Sequence, residues 1–312
     1  KERSMNACRF HGLAVNRRRA LWAGAFGALS AASFQTTAAE AQRRRTQTRN
    51  TWISLAAYSM REALTSGKMD LFRFIDWCAE MDLAGAELTA YYFRKGFDAS
   101  YLRELRRRAF GRGITVSGTA IRNNFCLPSG QDKQKEIDQV KRWIDHAAEL
   151  WAPHIRIFAG EIPKGADRKT AIGYVADGIR AVLDHAAERG IILGLENHHG
   201  ITDRASDHLA ICDAVGRNHW FGVNLDTGNY YTNAYEELEM AAPRAVNVQI
   251  KVEVVRNDGV KIPADLEKFR NILVNAKYKG WIALEYEAKG DPYIEIPIYI
   301  RKLKDLFEAN GN

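Results

Sequence analysis

Residues 191–200 read IILGLENHHG, an apolar run that stops abruptly at a carboxylate, an amide and two imidazoles. Such a run is too short for a buried helix and reads as a strand covered on both faces. An amphipathic stretch of helical period, Arg168–Arg189, leads into it. Another, Asp203–Val215, leads out of it to a second apolar run, Trp220–Asp226. Strand, helix and strand in that order predict two parallel strands joined by a crossover helix.

The same unit recurs in both directions. Apolar runs lie at Trp52–Ala57, Ala84–Thr89, Ile114–Gly118, His154–Phe158, Ala245–Lys251 and Trp281–Glu285, which with the first two makes eight. Helical stretches lie at Leu71–Met81, Tyr101–Arg112, Asp132–Leu150 and, after the last strand, near Pro297–Ala309. Eight strands in a span close to the roughly 250 residues typical of a (β/α)8 barrel predict that TIM-barrel, α/β fold. A doubly wound open sheet usually has fewer strands, and no G-x-G-x-x-G follows the first run. No linker interrupts residues 51–312, so they read as a single domain, and no repeated motif of solenoid type stands out.

The chain of 312 residues is 46% hydrophobic and carries a formal net charge of +7. That excess is local. Residues 1–41 hold six basic and two acidic residues, and residues 42–49 add four arginines with no acid. From residue 50 onward 35 basic residues meet 36 acidic ones, which argues against a nucleic-acid partner needing a phosphate-neutralising face. Arg17, Arg18 and Arg19 precede the mild apolar run LWAGAFGALSAASF, and Ala39-Glu40-Ala41 forms a small-x-small cleavage site. Residues 1–41 therefore read as an export signal of twin-arginine type, residues 42–50 as a basic lead-in, and the mature protein as periplasmic or exported. Beyond export no membrane contact is expected, since Ala20–Phe34 is shorter than the roughly 20 residues of a span. Cys78, Cys126 and Cys212 are widely spaced and odd in number, so they read as core residues and not as disulfides or a zinc site.

In a barrel of this kind the site is built where strands end. The fifth run ends at Glu196, Asn197, His198 and His199, the sixth at Asp226 with Asn229 beyond, and the eighth at Glu285 and Glu287. The seventh, VNVQIKVEV, alternates Asn247, Gln249, Lys251 and Glu253 with apolar residues, predicting one polar inward face. Glu87 ends the second run, Arg156 lies in the fourth, and Tyr91, Tyr92 and Phe93 follow the second. Trp77, Trp143 and Trp151 read as core. Like charges about 4 Å apart repel by roughly 4 kcal/mol at an effective dielectric of 20, so converging carboxylates need a divalent cation, protons or basic partners. Oxygen ligands with one amide suit Mn2+ or Mg2+, with Co2+ as a further option.

The segments AELTAYYF, VSGTAI, IRIFAG, LENHHG, NLDTGN, VQIK and IALEYE, in this order, resemble the xylose isomerase-like TIM-barrel superfamily of sugar isomerases and epimerases. The resemblance implies one divalent metal held by Glu196, Asp226, Gln249 and Glu285, with Gln249 standing where imidazole is usual. It also implies Glu196 and Glu285 as the acid/base pair that moves a proton beside a carbonyl through an enediolate. His198, Lys251, Arg156 and Asn229 are the candidates for binding substrate; Asn229 stands where ketose 3-epimerases carry a histidine. The expected partner is a small free carbohydrate, and the chain is compatible with a homo-oligomer. Three other readings stay open: a 3-keto sugar lyase or hydratase on the same site, an abasic-site endonuclease sharing the fold, and a non-catalytic sugar-binding protein.

Overall fold

The computed structural model describes residues 52–308; the expected signal and the basic lead-in lie outside them. Eight parallel strands close into a barrel: β1 Trp52–Ala56, β2 Gly85–Thr89, β3 Thr115–Ala120, β4 His154–Ile157, β5 Ile192–Glu196, β6 Phe221–Asp226, β7 Ala245–Ile250 and β10 Trp281–Leu284. Each pairs with its sequence neighbour in the barrel, and β1 closes on β10 through Trp52–Trp281 and Leu55–Leu284. All eight expected strands are found within about two residues of their predicted bounds.

The alternation along each strand separates two environments. Leu193, Leu195, Val223, Leu225, Val248, Ile250, Ile282 and Leu284 are buried in the apolar cluster shared with the surrounding helices. The alternate positions carry Gly194, Glu196, Gly222, Asn224, Asp226, Asn247 and Gln249, so the barrel axis is lined by polar and small residues. His154 on β4 fills part of that interior because Gly118 and Gly194 leave room for it. A Cβ at either glycine would lie 2.7 Å from its Nδ1 or 2.5 Å from its Nε2.

Helices span Leu71–Glu80, Ala99–Gly111, Gln131–Leu150, Arg168–Arg189 and Ala205–Val215. Three of them begin on an aspartate whose side chain accepts a backbone N–H of the first turn: Asp70 from Arg73, Asp98 from Tyr101 and Asp167 from Thr170. Two further helices, Ala234–Ala241 and Leu266–Asn275, are not among the helical stretches singled out from the sequence. The last helix runs Pro292–Glu308. Its start is five residues earlier than expected, because Pro292 takes the first position and Pro297 is carried inside.

Two other expectations are corrected. β7 stops at Ile250, and Glu253 belongs to an antiparallel hairpin, β8 Glu253–Val255 with β9 Lys261–Pro263. Alternation of polar residues continues past the strand, but the backbone leaves the barrel there. Trp151 is not core: it is 66% exposed, ends its helix at φ 59°, and packs under the Arg106 guanidinium at 4.2 Å. Trp77 is buried and Trp143 packs on the core, and the three cysteines are free and buried.

Candidate active site

The C-terminal ends of parallel strands share one face of the barrel, so β5, β6, β7 and β10 deliver their terminal polar groups to one mouth. The tips of β5 and β6 are tied together by Asn197. Its amide donates to the Asp226 carbonyl and accepts from the Asp226 N–H, both at 2.8 Å. Thr202 closes the LENHHG turn, donating to the Glu196 carbonyl and accepting the His198 N–H, each at 3.0 Å. Backbone positions of Glu196 and Asp226 are thus fixed before any side-chain contact is made.

Glu196 is buried. Its Oε2 lies 2.7 Å from Arg156 Nε, and its Oε1 accepts from Asn229 Nδ2 at 3.1 Å. Arg156 donates Nη1 to the Ile121 carbonyl at 2.6 Å and lies 3.9 Å over the Phe158 ring, so it cannot turn away. Burial pushes the Glu196 carboxyl up to about 7, against the lowering influence of Arg156. A carboxyl near neutrality can give or take a proton at physiological pH.

Lys251 is the second cation. Its Nζ lies 2.8 Å from Glu287 Oε2, 3.0 Å from Glu285 Oε2 and 3.3 Å from Asp226 Oδ2. Burial alone would favour the neutral amine, but Asp226, Glu285 and Glu287 outweigh it and hold the ammonium well above its ordinary range. Burial raises Asp226, with Lys251 opposing. Of the three ways to neutralise converging carboxylates, the side chains themselves supply two, basic partners and protons.

Below the mouth lies an amide network. Gln249 Nε2 donates to Glu87 Oε1 at 2.7 Å, and its Oε1 accepts from Asn224 Nδ2 at 2.7 Å. Asn247 Nδ2 reaches both Glu87 Oε2 at 3.0 Å and Asn224 Oδ1 at 2.8 Å. The register shift between Val223 and Asn224 aligns Asn224 with Asn247 and Asp226 with Gln249, which makes the network possible. Burial, reinforced by Glu285, pushes Glu87 up to about 7.

A cavity of about 470 Å3 opens above these groups, lined by Glu196, His198, His199, Asn229, Lys251, Glu285 and Arg156. That volume suits a small ligand. The structure therefore brings these residues, together with Tyr91, Glu253 and Glu287, to one space as the sequence suggested, while Asp226 and Gln249 lie beneath it. His198 stacks on Phe158 with ring centroids 4.4 Å apart, and Asn229, not His198, bonds to Glu196. Burial, with His199 and Arg156 adding to it, pushes His198 down to about 3, so its ring is neutral. Tyr91 lines the cavity, whereas Phe93 packs in the core against Trp143.

Tyr58, Arg122 and Tyr231 also line the cavity and were not singled out from sequence, whereas Glu287 lines it as expected from the end of the eighth run. Tyr58 and Arg122 each lie two residues past a strand end, a placement visible only once the ends are fixed.

The expected divalent-metal ligands do not form an open donor set. Gln249 spends its amide on Glu87 and Asn224, Glu196 is paired with Arg156, and Asp226 and Glu285 face Lys251. Lys251 Nζ lies 3.3 Å from Asp226 Oδ2 and 3.0 Å from Glu285 Oε2, so a divalent ion on those oxygens would share them with a like charge. Among the described residues no group of three or more His, Cys, Asp or Glu is disposed to hold a metal.

Known proteins share this architecture. The IOLI protein, solved with a bound zinc atom, superposes at a TM-score of 0.68 with 14% identity, over 83% of this chain and 99% of that one. A D-psicose 3-epimerase solved with D-fructose gives 0.62 and 17%, over 80% and 90%. Protein SMc04130 of Sinorhizobium meliloti 1021 gives 0.64 and 21%, over 83% and 98%. Curated relatives named "Probable endonuclease 4" are 24% identical in Natronomonas pharaonis, over 41% of this chain and 50% of the relative, and 26% identical in Haloquadratum walsbyi, over 49% and 53%. The chain spans about half the length of these curated relatives. Residues 75–304, from the helix after β1 into the last helix, match the family described as Xylose isomerase-like TIM barrel. With the closed eight-stranded barrel on which that match falls, the chain belongs to the xylose isomerase-like TIM barrel family.

Proposed function

We propose that this protein is an isomerase or epimerase of a free carbohydrate, moving a proton at a carbon beside a carbonyl. One observation carries the reading: Glu196, poised near neutrality, and Glu285 open on the same cavity, each beside a buried cation. One carboxylate takes the proton from carbon as the carbonyl oxygen becomes an enediolate oxygen. The fixed charges of Lys251 and Arg156 stabilise that oxygen. Returning the proton to the former carbonyl carbon, with the adjacent hydroxyl proton passing to the enediolate oxygen, isomerises the sugar; returning it to the other face of the same carbon epimerises it.

The proton-transfer reading is written on the side chains alone, since Gln249 spends its amide on Glu87 and Asn224 and the Lys251 ammonium stands beside Asp226 and Glu285. Arg122, Arg156, Lys251 and Lys261 face Glu196, Glu253, Glu285 and Glu287 around the cavity, a balance that favours a neutral sugar over a phosphorylated one. The same balance, with the near-neutral charge of residues 50–312, disfavours duplex DNA despite the names of the curated relatives. The arginines at 17–19 and the small residues at 39 and 41 support export.

The test is NMR of candidate aldoses, ketoses and 3-keto sugars incubated with the protein in D2O. Deuterium entering beside the carbonyl with the carbon skeleton and its oxygens retained supports the proposal. Loss of water or an alcohol instead assigns the lyase chemistry, and no exchange with any sugar overturns both.

A further inference from the structure

The LDTGN turn and the QIK strand end are matched to each other in a way neither shows alone. Thr227 Oγ1 accepts the Lys251 N–H at 2.8 Å, fixing the backbone where the lysine leaves β7. Gly228 then leaves the space through which the lysine stem runs: a Cβ there would stand 2.6 Å from Lys251 Cγ and 2.9 Å from its Cβ. The stem is thereby turned into the mouth and not out to solvent, and the side chain is 8% exposed.

At its end the ammonium meets Asp226, Glu285 and Glu287. An ammonium has three protons to give, and three carboxylates face it. Gln249, on the strand position that the resemblance assigns to a metal ligand, is turned to Glu87 and Asn224 instead. A side-chain cation thus stands among the carboxylates, and the neutral ligand that would complete a metal site is committed elsewhere.

We propose that the Lys251 ammonium takes the place between Asp226 and Glu285 that a divalent ion would occupy, so that this barrel carries its cation as a residue and binds no metal at its mouth. The inference draws its catalytic meaning from the proton-transfer reading of the site. Its test reads cation binding and not turnover, so the two can fail separately. The ammonium differs from a metal in having no open coordination position and in needing no acquisition from the surroundings, so the site is complete once the chain has folded.

The experiment is titration of chelator-treated protein with Mn2+, reading the free aquo-ion by electron paramagnetic resonance. Wild type leaves the Mn2+ signal unchanged, and its melting temperature does not respond to the ion. Lys251→Ala removes the ammonium and opens its space, and binds one Mn2+ per chain at least about tenfold more tightly than wild type, with a melting temperature that now rises with added ion. Adding Glu285→Gln to that variant abolishes the gain. One equivalent of Mn2+ bound by wild type and lost in Glu285→Gln would overturn the proposal, as would a folded Lys251→Ala chain that takes up none. If Lys251→Ala does not fold, the wild-type titration with its Glu285→Gln control decides the matter.

Discussion

Replacing Glu87 by Gln tests the charge accounting of the barrel interior without any knowledge of substrate. Glu87 is 1% exposed and accepts from Asn247 and Gln249, with a carboxyl raised from 4.5 to about 7 by burial first and Glu285 second. A raised folded-state value means that the native protein holds the proton more firmly than the unfolded chain. Stability from this group is therefore present in full below pH 4.5 and is lost as pH rises toward 7. Each pH unit inside that window removes up to about 1.4 kcal/mol, and between pH 5 and pH 8 the loss comes to about 2.5 kcal/mol. Glutamine carries no charge to titrate, so the variant escapes this loss, apart from a pH-independent cost where its NH2 faces the donor Asn247 or Gln249. Urea unfolding of both proteins at pH 5, 6.5 and 8 should show Glu87→Gln gaining on wild type by about 2.5 kcal/mol across the range, at unchanged m-value. Burial dominates the rise of Glu196, to which Glu87 adds only a lesser repulsion, so most of the Glu196 contribution cancels in the difference. A gap between variant and wild type that stays constant with pH would refute the reasoning, since Glu87 would then be ionised in the folded protein at every pH tested.

Glu196→Gln and Glu285→Gln should each lower the rate of deuterium exchange by about 10^2–10^4, read by the same NMR assay; exchange surviving in both would remove the pair from the chemistry. Gly228→Ala, whose Cβ would press on the Lys251 stem, should cost about 1–3 kcal/mol in thermal or urea unfolding, and an unchanged melting temperature would contradict that packing. If the N-terminal reading holds, mass spectrometry of the exported protein finds Gln42 as its first residue.

Much of the architecture was legible because it rests on short-range pattern. The run IILGLE ends in a carboxylate, and the strand ends there too, at Glu196; FGVNLD ends at Asp226 in the same way. Where the pattern outlived the element, the reading failed. Polar alternation through VQIKVEV suggested one inward row, yet the chain leaves the barrel after Ile250 and carries Glu253 into a hairpin. Trp151 had helical spacing, but it sits on the left-handed residue that ends its helix and so faces solvent. The helices Ala234–Ala241 and Leu266–Asn275 were passed over in the sequence, although the second is as long as Leu71–Glu80.

The sequence by itself determined the barrel, its eight strands and the carboxylates at their tips, because apolar period and strand-end chemistry are properties of neighbouring residues. Only the tertiary structure decided which cation meets which acid. Lys251 reaches Asp226, Glu285 and Glu287, Arg156 takes Glu196, and Gln249 turns to Glu87 across 162 positions of chain. Those pairings depend on the closure of the barrel, on the register shift before Asn224 and on the space left by Gly228. They are fixed by distances across the barrel axis, which no local pattern encodes.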